Sequence, residues 1–170
     1  MALRSPDRLT RMRRSGMSGW KHRWFVVAEA LAAASSFALA VQGGRWWTIG
    51  DVEIGPLGSK SPFGGLGGLS WAGSSARWER FGAATWGAGM IAMFVLIVVA
   101  GAVAAKRIPR LAAKTALVSI ATATLVAAGF LAARPVNGLP FELGRGVVLF
   151  VAGVMFGVLA SAGVLRRAAG

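Results

Sequence analysis

The chain has 170 residues, of which 55% are hydrophobic, with a mean hydropathy of +0.61 and a formal net charge of +13. Soluble globular domains are less apolar, so this composition indicates a single membrane domain over residues 1–170. Because the chain has no cysteine, disulfides, thiolate nucleophiles and cysteine metal sites are excluded. One histidine and six scattered acidic residues argue against a metalloenzyme, and we expect no cofactor.

Four apolar segments predict four transmembrane helices, at residues 24–42, 83–105, 111–133 and 146–165. Each has close to the ~20 residues that cross a ~30 Å hydrocarbon layer at about 1.5 Å per residue. We therefore predict an all-α membrane protein built as a four-helix bundle. The alternative for the first segment is a cleaved signal peptide, because it ends in Ala38-Leu39-Ala40. Its long apolar run, which contains Glu29, favours a retained helix.

The basic residues divide the chain into two sides. Of the 19 lysines and arginines, 12 lie before the first segment, between the second and third, or after the fourth, and a thirteenth, Lys114, lies in the first turn of the third. The positive-inside rule then places both termini and the turn at residues 106–110 in the cytoplasm, and residues 43–82 outside an inner or plasma membrane. We interpret this charge as a determinant of topology that also attracts anionic membrane lipids, and not as a nucleic-acid surface.

Small residues recur at four-residue spacing in the helices, including Gly153, Gly157 and Ser161 in the fourth. Such stripes let helix backbones approach closely, which stabilises bundles in lipid. We interpret them as packing surfaces within the chain. Dimerisation through the face of Gly153 and Gly157 is the alternative, and we expect either a homo-oligomer or a complex with other membrane protein subunits.

Glu29 is an ionisable residue inside an apolar segment, about one and a half turns from its cytoplasmic end at 3.6 residues per turn. Intramembrane carboxylates are costly and often mark function. The interpretation we favour is an interfacial group that pairs with Arg23, Lys106 or Arg107. The alternative is a proton site, since the first helix of small multidrug transporters carries a glutamate in a comparable apolar setting.

The outer segment at residues 43–82 combines tryptophans with glycines and predicts a small antiparallel β-sheet between the first two helices. Its expected elements are strands at residues 46–49 and 52–54, turns at 56–58 and 61–62, and a returning strand at 66–71. From Arg77 the apolar spacing is helical and leads into the second membrane helix.

This order of segments, with a long tryptophan-containing outer loop after the first helix, resembles the claudin and peripheral-myelin-protein family. The matching elements are Trp46 or Trp47 for the first claudin tryptophan, Gly68-Leu69-Ser70-Trp71 for the Gly-Leu-Trp element, Arg80 for the basic residue before the second helix, and Phe141-Glu142-Leu143-Gly144 for the entry to the last helix. Both cysteines of the claudin loop are absent, so strand pairing depends on packing alone.

The resemblance implies a non-enzymatic membrane protein that acts through its outer loops, in adhesion, in barrier formation or as an accessory subunit. Its interaction or structural residues would be Trp46, Trp47, Gly68, Leu69, Trp71 and Arg80. The alternative function is a small proton-coupled transporter or channel component that uses Glu29. No cluster of histidine and carboxylates and no activated nucleophile in the sequence indicates an enzyme.

Overall fold

The computed structural model describes residues 7–43, 45–49, 52–60, 77–133 and 141–169. Most of these residues form four helices: α1 (Asp7–Gln42), α2 (Arg77–Ala104), α3 (Arg110–Ala132) and α4 (Arg145–Ala169). The others include four short strands: β1 (Trp47–Ile49), β2 (Val52–Gly55), β3 (Gly58–Lys60) and β4 (Phe141–Leu143). The prediction of four long apolar helices with a small antiparallel sheet is confirmed.

The first helix is longer than predicted, because α1 begins at Asp7 and not at residue 24. Hydropathy identifies only the part that is apolar enough to cross a membrane, His22–Gln42. The segment before it, residues 7–21, is too polar for hydropathy to detect, although the helix runs through it. Similarly, α2 begins at Arg77, where the sequence predicts helical spacing, and not at residue 83.

Each of the four helices contains a stretch that is long and apolar enough to span a membrane. Large apolar side chains, among them Phe94, Leu125 and Met155, are exposed around the bundle. In water such side chains would form an unfavourable apolar surface, whereas lipid chains solvate them. The helices are therefore consistent with a multi-pass membrane protein.

The helices pack in a ring, in which α1 contacts α2 and α4, and α3 contacts the same two helices. At each of the four contacts a glycine faces a larger side chain: Gly89 faces Val41, Gly129 faces Phe81, Gly153 faces Phe37 and Gly157 faces Ile120. The missing side chain lets the two backbones approach. Gly153 and Gly157 are thus buried against α1 and α3 of their own chain, as expected for packing surfaces within the chain, and dimerisation through this face stays a prediction.

The four strands form one antiparallel sheet in the order β3-β2-β1-β4. Three of them, β1 to β3, lie between α1 and α2 as predicted, and the turn between β2 and β3 is at Pro56 and Leu57. The returning strand is β3, directly after that turn; the strand expected at residues 66–71 lies outside the described residues. The fourth strand, β4, was not predicted, and it comes from the connection between α3 and α4.

The topology gives the bundle two different ends. The sheet end carries the four strands and the first turns of α2 and α4. The basic end is the opposite one, where α2 and α3 are joined by residues 105–109 and α4 terminates with Arg166 and Arg167 in its last turn.

Candidate functional site

Trp46 and Trp47 attach the sheet to the bundle. Their side chains are 1% and 0% exposed. The Trp46 ring packs edge-on against Phe130 of α3 and Phe150 of α4, with ring centroids 5.7 and 5.2 Å apart, and the Trp47 ring lies 4.5 Å from Phe130. Aromatic rings bury large apolar areas and favour such edge-on contacts. Both tryptophans are therefore buried between the sheet and the bundle, where they have a structural role.

Trp46 also connects three elements through hydrogen bonds. Its indole Nε1–H donates to the carbonyl of Ala40 at 2.8 Å, one of the last carbonyls of α1 and without an N–H partner inside that helix. Its backbone N–H donates to the Ile54 carbonyl of β2, and its carbonyl accepts from the Gly144 N–H, both at 2.8 Å. The end of α1, the sheet and the start of α4 are thereby joined at one residue.

Gly144 permits the closest approach between the two outer connections. A Cβ at this position would overlap the backbone carbonyl of Arg45, which itself accepts a 2.7 Å hydrogen bond from the Gly146 N–H. A backbone carbonyl held in this way cannot move aside as the end of a side chain can. The element that resembles the claudin entry to the last helix, residues 141–144, is therefore β4 followed by a position that fits only glycine.

The sheet has one apolar and one polar row of paired residues. Trp47 is opposite Ile54 on one side and Leu143 on the other, and Trp47 and Ile54 are buried. Thr48 is opposite Glu53 and Glu142, which are both exposed, so these three side chains share the other face. We call the row of Glu53, Thr48 and Glu142 the outer face of the sheet.

One ion pair borders the outer face. An Arg45 guanidinium nitrogen (Nη1) lies 3.4 Å from Glu53 Oε1, with the two side chains 40% and 48% exposed. A pair this exposed adds little stability. It does leave the outer face with a carboxylate, Glu142, for which no basic partner is present among the described residues.

The remaining predicted residues of the outer segment fall in two groups. Arg80 is exposed in the first turns of α2 at the sheet end. Gly68, Leu69 and Trp71 lie outside the described residues, so their expected roles stay predictions.

Glu29 lies at the basic end, in surroundings different from those expected. It is half-buried and lines a cleft of about 360 Å³ between α1 and α4, together with His22, Arg166 and Arg167. Within the described part of the chain, no basic group comes within 4 Å of its carboxylate. Its expected partners Arg23, Lys106 and Arg107 line another cleft, so the predicted pairing is wrong.

That second cleft, which we call the basic cleft, is a site that the sequence does not predict. It has a volume of about 260 Å³ and contains Arg23, Lys106, Arg107 and Arg167. The clustering of these residue types at one end is evident from the charge distribution, but their shared cleft depends on how α1 and α4 are rotated. Across the described residues, no three His, Asp or Glu side chains come together as metal ligands.

Comparison of the chain with protein-family models and with curated proteins finds no match. The resemblance to claudins therefore depends on the residues quoted above and on the order of the segments, and what it implies remains a proposal.

Proposed function

We propose that the chain is a non-enzymatic integral membrane protein that binds another membrane protein, or a second copy of itself, through its sheet end. The observation that supports this is the joint sheet: both connections at this end contribute strands, and Trp46 fixes them to the helices. A surface already ordered loses little conformational entropy on binding. The outer face, on which Glu53 and Glu142 are exposed, is the proposed contact.

The resemblance to claudins supports the same role and suggests its setting. Acting through an outer domain, the protein would serve in adhesion, in barrier formation or as an accessory subunit of a membrane complex. The exposed carboxylate of Glu142, which has no basic partner among the described residues, favours a partner surface that offers basic or hydrogen-bond-donating groups.

Site-specific photo-crosslinking in living cells tests this role. We expect a photoreactive residue in place of Glu142 to give one discrete adduct, either a dimer or a single partner protein. The control replaces Leu125, which is exposed on the side of the bundle and away from the sheet. It should give mainly lipid adducts. Absence of a discrete adduct at Glu142, or the same adduct at both positions, would contradict the proposal.

The proposed topology places the sheet end outside the cell and the basic end in the cytoplasm, as the positive-inside rule requires for this distribution of lysine and arginine. The cysteine-free chain allows a direct measurement. Glu142→Cys in β4, exposed on the outer face, should react with an impermeant thiol reagent on intact cells, whereas the control Ala105→Cys, exposed at the basic end, should react only after permeabilisation. The reverse labelling pattern would overturn this topology.

A second candidate function is a small proton-coupled transporter or channel component. It is favoured by the half-buried Glu29, which lines an open cleft without an ion-pair partner among the described residues. Glu29→Gln keeps the shape of the side chain and removes its charge. We expect no effect on assembly or on proton flux in proteoliposomes. Loss of a proton flux in Glu29→Gln, but not in the control Glu53→Gln, would favour the transporter.

A further inference from the structure

The basic cleft at the basic end of the bundle is built by three parts of the chain. Arg23 comes from α1, Lys106 and Arg107 from the connection between α2 and α3, and Arg167 from the last turn of α4. Residues far apart in the sequence thus converge on a cavity of about 260 Å³. A phosphate group is of a size that fits into such a volume.

The four cations of the cleft are not neutralised by the chain. Among the described residues, no carboxylate lies within 4 Å of any of them. The Arg23 Nε–H is buried and has no hydrogen-bond acceptor in the described part of the chain, although its guanidinium lies 5.6 Å from the Trp24 ring centroid. Like charges held together raise the free energy of the free protein, and an anion between them lowers it. The neighbouring cleft, which shares Arg167 with the basic cleft, differs because it contains Glu29.

The backbone at Lys106 adds an independent observation. Lys106 has φ 62, in the left-handed region that favours glycine. The Arg107 N–H donates to Ala102 and the Lys106 N–H to Val103, which is the Schellman arrangement that ends α2. Glycine is the usual residue at this position. The chain instead has a lysine there, whose side chain lines the basic cleft.

The rest of the cleft is apolar. Val103, Ile108, Pro109 and Val164 complete its lining, and Ile108 is 57% exposed. Val103 and Val164 are buried, so Ile108 is the exposed aliphatic side chain beside the four cations, with the half-buried Pro109 next to it. This combination matches a ligand that carries both a phosphate and a hydrocarbon chain, because a free phosphate ion would contact the cations and leave Ile108 uncovered.

We propose that the basic cleft binds the phosphodiester headgroup of an anionic phospholipid, with the lipid chain along Ile108. The guanidinium groups of Arg23, Arg107 and Arg167 bind the phosphate oxygens as charge-assisted donors, and the Lys106 ammonium provides a fourth positive charge. Basic pockets between transmembrane helices bind anionic headgroups in this way. This site is independent of the partner proposed for the sheet end.

Native mass spectrometry of the purified full-length protein in detergent micelles, titrated with phosphatidylglycerol, tests the proposal. We expect one tightly bound lipid. The double variant Lys106→Gly/Arg107→Gln should bind it about 25-fold more weakly, since each basic residue near a membrane surface contributes about fivefold. The matched control is Arg110→Gln/Lys114→Gln, which removes two exposed cations near the same end that do not line the cleft. It should bind phosphatidylglycerol nearly as the wild type does.

Lys106→Gly alone separates binding from folding. Glycine relieves the left-handed strain, so thermal stability should stay equal or rise while lipid binding weakens about fivefold. Equal weakening by the two double variants would show diffuse surface attraction and overturn the proposal. Equal binding of phosphatidylcholine would overturn it as well. Displacement of the lipid by millimolar inorganic phosphate would identify free phosphate as the ligand.

Discussion

The two adjacent tryptophans of the sheet end should respond differently to the same substitution. Trp46→Phe removes an indole N–H that donates to the Ala40 carbonyl at 2.8 Å. Trp47→Phe removes an indole N–H that is buried without an acceptor in the described part of the chain. Both changes replace an indole by the same smaller aromatic ring, so the difference between them isolates the hydrogen bond.

The magnitude follows from the burial of both sites. Loss of ring volume leaves a cavity that costs about 1 kcal/mol in either variant. Trp46→Phe also leaves a buried helix-end carbonyl unpaired, which adds about 1–3 kcal/mol. Trp47→Phe removes a buried N–H donor that has no acceptor, and the free energy gained in this way offsets part of the cost of the cavity. We therefore expect Trp46→Phe to destabilise the sheet end by about 2–4 kcal/mol and Trp47→Phe by about 1 kcal/mol or less.

The destabilisation can be measured by trypsin cleavage after Arg45 in mild detergent, because it raises the population of molecules in which the sheet end is open. The Arg45 carbonyl accepts from the Gly146 N–H and the Trp46 N–H donates to Ile54, so the peptide bond between them becomes accessible only when the sheet end opens. Cleavage should then follow the population of the open form. A difference of about 2 kcal/mol corresponds to about thirtyfold faster cleavage in Trp46→Phe. The rate after Arg110, at the basic end, serves as the internal control. If Trp47→Phe accelerates cleavage after Arg45 as much as Trp46→Phe does, the hydrogen bond is not what fixes the sheet.

Two glycine substitutions test the close contacts. Gly144→Ala should destabilise the sheet end by about 3 kcal/mol in thermal unfolding, because its Cβ would overlap the fixed Arg45 carbonyl. The control is Gly101→Ala, which has open space around it and should stabilise α2 by about 0.5–1 kcal/mol. Gly157→Ala should cost about 1 kcal/mol or less in the same assay, because its Cβ meets the end of the flexible Ile120 side chain at 2.7 Å; complete loss of folding would show that the bundle contact is rigid.

The helices could be predicted from the sequence because a membrane-crossing segment is recognisable by its own length and hydropathy. Each apolar stretch is long enough by itself, and Gly153 and Gly157 already indicated a close helix contact. The start of α1 could not be predicted in the same way. Hydropathy marks where a helix is apolar and gives no information about where its backbone begins.

The sheet was predictable only in its local part. Residues 47–49 and 52–55 form β1 and β2 because β-prone residues lie close together on either side of a short connection. Strand β4 is three residues long and is separated from β1 by two complete helices. Its pairing depends on the bundle bringing the two outer connections together at Trp46 and Gly144, and no local pattern encodes that meeting.

The surroundings of Glu29 were partly predictable. Glu29 and Arg23 are six residues apart on α1, which at 3.6 residues per turn places them about 120° apart around the helix, on different faces. Helical geometry alone therefore argues against their pairing, and the two residues do line separate clefts.

Which face of α1 meets Arg166 and Arg167 depends instead on the rotation of α4 against α1. Two of the contacts that fix this rotation are Gly153 against Phe37 and Gly163 against Val26, where the absence of a Cβ makes room for the larger side chain. The arrangement of the charged side chains at the basic end thus depends on the glycines of α4 as well as on the charged residues themselves.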